Sequence, residues 1–295
     1  MRAGRPLHPD RMMRRDLRTG IHTAIRNIRS PVGAVVVACL ALLVASCGGE
    51  PSAGRAFKPV KPGVLTVATG FLPAPGFWEG SPPRAGLEAA LANKLARRLG
   101  LARVDVVQVP FARLAAGDLG GADIAISQLT PTGERERRLD FTTPYLAAPA
   151  GVLARVGTAA SDVEGLRGLR WVVSRSSALT PIVERDIRPE RAPITVADRS
   201  GALRALRAGR ADAVMLDLPV ALALAHSDPA RLHVLGQVPD DRGLAAALPA
   251  GSPNHEIVDS AIRRLQADGS IDKLVTRWLG EAEQDVPLIW TEETS

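Results

Sequence analysis

The sequence predicts an α/β protein built from two successive units. Three observations carry this reading. Apolar runs of strand length alternate with segments of helical period from residue 64 onward. The same alternation starts again after Pro144-Tyr145. Hydrophobic residues make up 46% of the 295, enough for a sizeable core. Alternating strands and helices imply a largely parallel sheet with helices on its faces.

Taken in order, Val64 to Thr69 (VLTVAT) reads as a buried strand, followed by a loop of Gly, Pro and aromatics over 70–83. Leu87, Leu91, Leu95 and Leu99 recur every fourth residue, which lines up one helix face, and Gly100 is placed to stop it. Val104 to Val109 is a second strand, 112–119 a short helix, and Ala122 to Ser127 a third strand. The second unit begins with the apolar stretch Ala147 to Val156. Strands follow at Trp171–Val173, Ile194–Ala197, Ala213–Leu216 and Leu232–Leu235. Helices are predicted from Thr180-Pro181, with Thr as cap and Pro at the first helical position, at Ala202–Arg207, and from Pro219. Leu244–Leu248 returns as a strand. Two helices close the pattern, one opened by Ser252-Pro253 and one carrying Ile271, Leu274, Val275 and Trp278 up to Gly280. Residues 281–295 have little periodicity.

The net charge of +6 belongs to the N-terminal segment. Residues 1–31 hold eight Arg and two Asp, and the rest of the chain holds 29 basic and 29 acidic residues. Nothing in that balanced remainder reads as a nucleic-acid surface. The basic segment leads into the apolar run Val32 to Ser46, shorter than the roughly 20 residues of a membrane-spanning helix. Basic region, short apolar region and small residues before a cut make a secretory signal. Val44-Ala45-Ser46-Cys47 resembles a bacterial lipobox, in which Cys47 becomes the lipidated first residue; an uncleaved anchor is the competing reading. Cys39 leaves with the signal, so the mature chain has neither a thiol pair nor a Cys metal site. Residues 48–62, rich in Gly, Pro, Ser and Lys, read as a tether.

The most informative stretch is Leu129 to Tyr145, LTPTGERERRLDFTTPY. It starts where a predicted strand ends, the place where ligands sit in open α/β sheets. A Thr hydroxyl and an Arg fork together can hold a carboxylate. A solvated turn is the plainer alternative for its mixed charges.

GVLTVAT, GLEAALANKLARRLGL, LTPTGERERRLDFTTPY, LRGLRWVV, GRADAVMLD and LQADGSIDKLVTRWLG occur in this order over residues 62–280. Together they resemble the family 3 extracellular solute-binding proteins, which deliver polar amino acids to ABC importers. The resemblance implies a two-lobe periplasmic-binding-protein-like α/β fold with two hinge strands and a ligand cleft between the lobes. Lobe 1 would span 63–146, lobe 2 147–240, the return to lobe 1 241–280 and a tail 281–295, behind a signal and lipobox at 1–47.

The resemblance also implies a site. Arg135, at the end of Thr130-Pro131-Thr132-Gly133-Glu134-Arg135, would clamp the ligand's α-carboxylate. Thr130 would add its hydroxyl and backbone N–H, and Gln128 its carbonyl to the ammonium, while Thr132 caps the turn. Asp217 falls on the family's ammonium-binding acid; its alternative is a helix N-cap ahead of Pro219. Ser176 and Ser177 would offer backbone N–H groups at a helix start, or form a simple turn. Phe111 would be an aromatic wall or ordinary core. Arg175 reads as solvated and Asp212 as structural. Gly70 stands where the family usually has an acid, Pro73 replaces an expected aromatic with Phe77 and Trp78 displaced downstream, and Ala90 replaces an acid two residues after Glu88, itself read as a helix-start acid.

With Asp217 the only evident anion, a cationic side chain lacks a partner, and a neutral polar or acidic ligand such as glutamine or glutamate fits better. The expected protein is a monomeric, lipid-anchored, exported receptor that binds an L-amino acid and serves an ABC permease. No catalytic residue, cofactor or metal is expected. The alternative is a periplasmic dehydratase of prephenate or arogenate type, for which His226, His233 and His255 are poorly placed. A sensor domain would need a further module.

Overall fold

The computed structural model describes residues 56–238, 241–280 and 286–289. The leader, Cys47 and residues 48–55 of the tether lie outside the described residues. The described chain forms two α/β lobes.

The first lobe is organised on β1 (Val64–Thr69), buried along its whole length because it sits mid-sheet. Two parallel neighbours flank it, β2 (Arg103–Gln108) and β3 (Ile124–Leu129). Short β4 (Leu139–Phe141) and β5 (Leu146–Ala147) pair antiparallel with the returning strand β11 (Gly243–Pro249), which also runs antiparallel to β3. Helix α1 (Leu87–Arg98) buries Glu88, Leu91, Ala92 and Leu95 on one face, at the i, i+3, i+4, i+7 spacing of an apolar stripe. A short α2 (Phe111–Ala115) covers the opposite face, where Leu114 packs with Leu129 and Leu139.

The second lobe departs from a parallel sheet. Its middle strand β6 (Ala150–Arg155) runs antiparallel to both β9 (Ala213–Asp217) and β10 (Leu232–Val238). The reason is connectivity: β6 arrives from the first lobe and runs outward, whereas β9 and β10 run back toward it. β7 (Val172–Ser174) and β8 (Ile194–Val196) pair in parallel, and Trp171 makes a parallel bridge to Ala213. Near the cleft, helix α3 (Val163–Arg167) is followed by α4 (Thr180–Ile182), which passes into a π turn over Val183–Ile187. Thr180 does not cap it. Its hydroxyl donates to the Ser174 carbonyl at 2.8 Å, and Leu179 holds the cap position.

Helix α5 (Arg199–Arg207) starts three residues earlier than its apolar period indicates, because Asp198 caps it by accepting from the Gly201 N–H at 2.7 Å. Helix α6 (Leu218–Ser227) follows β9 directly. The chain passes between lobes at 147–150 and again after Val238, so strands β6 and β11 each continue from a crossing. The last helices, α7 (His255–Ala267) and α8 (Ser270–Trp278), pack against each other and on α1 of the first lobe. Residues 286–289 lie along β10. Gln237 donates its N–H to Pro287 O at 2.8 Å, Ile289 donates to Gln237 O at 3.0 Å, and Ile289 is buried beside Trp171 and Val238 in the second lobe's core. Among the described residues no helix is long and apolar enough to cross a membrane.

Candidate functional site

The ends of β3 and β9 face each other, one from each lobe. Gln128, Thr130, Arg135, Phe111, Ser176, Ser177 and Asp217 all line one cavity of about 640 Å³ including its mouth.

Arg135 owes its position to the turn after β3. The Thr132 hydroxyl accepts from the Arg135 N–H at 3.3 Å and fixes that turn. The guanidinium is buried, with the Arg135 residue only 7% exposed, and donates through Nη1 to the Thr130 carbonyl at 2.8 Å and through Nη2 to the Ser176 carbonyl at 2.9 Å. Burial pulls its pKa down and Asp217 opposes that. It stays protonated regardless.

Asp217 ends β9 and occupies the N-cap position of α6, yet its side chain makes no capping bond. It accepts instead from the Thr130 hydroxyl of the facing lobe at 3.4 Å. Burial pushes its carboxyl up to about 6, against the pull of Arg242, Arg199 and Arg135. The carboxylate therefore lines the cavity and leaves the start of α6 to the Pro149 carbonyl, which accepts from the Leu218 N–H at 2.7 Å.

Two residues of the site were not visible in the sequence pattern. Phe71 stacks on Phe111 with centroids 4.7 Å apart. Arg199, the first residue of α5, lies over Phe71 at 3.5 Å, and Arg135 lies over Phe111 at 5.4 Å. An aromatic pair therefore stands between two guanidiniums, one from each lobe. Arg199 Nη2 also donates to Gln128 Oε1 across the cleft at 3.1 Å. Burial lowers the Arg199 pKa to about 10, so it is charged at neutral pH.

Behind Gln128 lies Glu88, fully buried. It accepts from the Gln128 N–H at 2.7 Å, from the Gln128 side-chain amide and from the Tyr145 hydroxyl. It stands in the first turn of α1 as expected of a helix-start acid, and its carboxylate serves Gln128 and Tyr145. Burial raises its pKa and these three donors pull it back. Gln128 has φ +45°, a left-handed backbone held by this network. The available signal was Glu88's place on the apolar stripe of α1.

The remaining predicted residues sort clearly. Ser176 presents a carbonyl to Arg135, and of the two expected backbone donors the Ser177 N–H is taken within the turn by Ser174 O at 3.0 Å. Gly70 is not a lining residue; its N–H donates to Ser127 Oγ at 2.8 Å. A Cβ there would come within 2.8 Å of Phe111 Cα and Cβ, so the start of α2 excludes the usual acid. Phe77 and Trp78 are core residues, Trp78 donating to Ile126 O at 3.1 Å. Asp212 is clamped by the Arg170 fork and backbone, away from the cleft. Arg175 is exposed at the cleft's outer edge. His226, His233 and His255 are absent from the lining, and His255 bonds the Phe141 carbonyl at 2.8 Å.

A guanidinium and a carboxylate thus face one cavity from opposite lobes, with an aromatic pair as one wall. This can hold a zwitterion by both ends.

A family model described as bacterial extracellular solute-binding proteins, family 3, matches residues 72–281. The L-cystine-binding protein TcyJ of Escherichia coli is 29% identical over 203 residues, covering 66% of this chain and 74% of that one. The membrane-bound lytic murein transglycosylase F of Ectopseudomonas mendocina is 28% identical over 272 residues, 88% of this chain but 54% of that protein. Among solved structures, an ancestral arginine-binding protein bound to glutamine superposes with a TM-score of 0.65 at 27% identity, covering 75% of this chain and all of that one.

Proposed function

The chain belongs to the bacterial extracellular solute-binding proteins of family 3, and from that premise we propose that it is the extracytoplasmic receptor of an ABC importer for an L-amino acid. Arg135 binds the α-carboxylate, with Thr130 beside it. Asp217 and the Gln128 carbonyl take the ammonium, and Phe111 and Phe71 cover the hydrocarbon. The protein is held at the membrane by a lipid on Cys47, and residues 48–55 link that anchor to the first lobe; the link is shorter than the expected 48–62, because Phe57 is buried in the core and the Lys58 backbone bonds the Asn254 side chain. The ligand is neutral polar or acidic. One observation carries this reading: Arg135 and Asp217 sit on opposite lobes and line the same cavity.

Calorimetry of the full chain in detergent against the twenty L-amino acids tests it. One ligand, or a small chemically related group, gives a saturable heat that Arg135→Ala removes. Unchanged affinity in both Arg135→Ala and Asp217→Ala sinks the assignment.

A dehydratase on the same scaffold draws support from one feature, the Asp217 carboxyl pushed to about 6, in the range of a general acid. Turnover of a prephenate-like substrate that is lost in Asp217→Asn would favour it over import.

A further inference from the structure

We infer that the ligand's side chain enters a crevice between β7 and β9 of the second lobe, a subsite that takes an uncharged carboxamide in preference to a carboxylate, a cation or a plain hydrocarbon. This rests on the amino-acid reading above and narrows it.

The crevice is a place where the sheet fails to close. β9 bonds to β6 on one side and β7 to β8 on the other. Between β7 and β9 themselves, Trp171 and Ala213 form the one bridge among the described residues. Beyond it the two strands run on without a ladder. The cavity that has Arg135 and Asp217 at its mouth is lined there by 172–174 on one side and 214–217 on the other. Leu179, Val183 and Met215 close it on one face of the sheet, and Val172, Ala202 and Val214 on the other.

Strand register fixes what the two edges offer. The Arg155 N–H donates to Asp212 O at 3.1 Å and the Leu218 N–H to Pro149 O at 2.7 Å. The even-numbered residues of β9 therefore bond to β6, and Met215 turns its N–H and carbonyl toward β7. The Ile194 N–H donates to Trp171 O at 2.9 Å and the Arg175 N–H to Val196 O at 3.1 Å. Val173 therefore bonds to β8, and the Val172 carbonyl and Ser174 N–H turn toward β9. Backbone donors and acceptors thus edge an otherwise apolar slot. The Ser174 and Thr180 hydroxyls on its wall are bound to the Ala197 and Ser174 carbonyls, at 3.4 and 2.8 Å.

A carboxamide suits both kinds of edge group, because its oxygen accepts from an N–H and its nitrogen donates to a carbonyl. A carboxylate only accepts, and an ammonium or guanidinium only donates. Either would be buried without a counter-ion, since the ionisable residues of the lining, Arg135, Arg199 and Asp217, stand at the mouth. Arg199 is rooted one turn before Ala202, but its guanidinium lies over Phe71 and donates to Gln128 Oε1, both on the first lobe. Arg242 donates to the Ala178 carbonyl at 3.2 Å and does not line the cavity. A hydrocarbon would fit the walls and leave the edge groups without a partner.

Calorimetry on the full chain in detergent tests this, with L-asparagine, L-glutamine, their acids L-aspartate and L-glutamate, L-norleucine, L-arginine and L-alanine. One of the two amides binds about tenfold or more tighter than its acid, than L-norleucine and than L-arginine. Ala202→Val narrows the crevice and weakens that amide about tenfold or more, while L-alanine, whose methyl stops at the mouth, changes by less than about threefold. Val183→Ile adds a methylene from the other face and serves if the first variant fails to fold. The inference is overturned if any of the other ligands binds as tightly as the better amide, or if the variants weaken amide and L-alanine alike or weaken neither. Either result leaves the amino-acid reading standing as long as Arg135→Ala still abolishes binding. Absence of heat from every amino acid overturns both.

Discussion

Arg135 and Ser176 are joined across the cleft, the guanidinium Nη2 donating to the serine carbonyl at 2.9 Å. The same guanidinium bonds the Thr130 carbonyl on its own lobe, and Thr130 in turn donates to Asp217 opposite. The groups assigned to the ligand therefore also hold the lobes together. On the proposed reading, a ligand carboxylate would give the Arg135 guanidinium an anionic acceptor in place of neutral carbonyls. Arg135→Ala should thus have two effects: loss of amino-acid binding by about a hundredfold or more, and a shift of the ligand-free protein toward an open cleft. Small-angle scattering reads the second as a larger radius of gyration, and identical curves for variant and wild type would contradict the latch.

Binding should depend on pH through Asp217. Its carboxyl titrates near 6 in the empty cleft because burial disfavours its charged form. An ammonium favours that charged form, so the pKa falls when ligand binds and protons are released. Affinity is then full above the free-state value and falls as pH drops through it, approaching about tenfold per pH unit. Asp217→Asn should lower the plateau and flatten this profile. Burial also raises the Glu88 pKa, so Glu88→Gln is titrated alongside as a control.

The Glu88 network should matter for stability. Tyr145→Phe removes one donor and should cost about 1–2 kcal/mol in urea unfolding. Glu88→Ala leaves the Gln128 N–H, its side-chain amide and the Tyr145 hydroxyl without their acceptor, and should cost about 3 kcal/mol or more. A double-mutant cycle should show strong non-additivity, since both residues share one bond. Additive losses would mean that the hydroxyl and carboxylate act separately.

Restoring the missing family acid should fail. Gly70→Asp places a Cβ 2.8 Å from Phe111 Cα and Cβ, so α2 must move. We expect a loss of about 1–3 kcal/mol in stability and no gain of affinity for L-arginine. A stable variant that binds L-arginine would show that the first lobe tolerates the acid after all.

Much of this was readable before any coordinates. The period-four leucines of α1 and the buried strands β1 and β3 set one lobe, and the motif ending in Arg135 lay at a strand end as expected. Asp217 sat at the junction of β9 and α6, where spacing alone left cap and ligand contact undecided; its side chain makes no capping bond and accepts from Thr130 instead, which removes the cap. Strand directions in the second lobe were not readable, because apolar runs carry no direction. Arg199 was hidden for a different reason. The apolar period of α5 begins at Ala202, so the polar turn before it looked like loop, although Asp198 three residues before Gly201 is a cap signal that puts Arg199 on the first turn. Phe71 belongs to a loop without period, and only folding brings it onto Phe111.

The strip 286–289 lies on β10, while α8, from which the chain reaches it, rests on the other lobe. The polypeptide thus ties the halves together at a third place, next to the second crossing. Gly236 makes this possible: a Cβ there would fall 2.3 Å from Ile289 Cγ1, so a bare backbone is what lets the strip seat. The strip also shields a sheet margin that would otherwise offer its amides to any passing strand. The outer edge of the second lobe's sheet is thus completed by chain from beyond the helices of the first lobe, not by a strand of its own lobe.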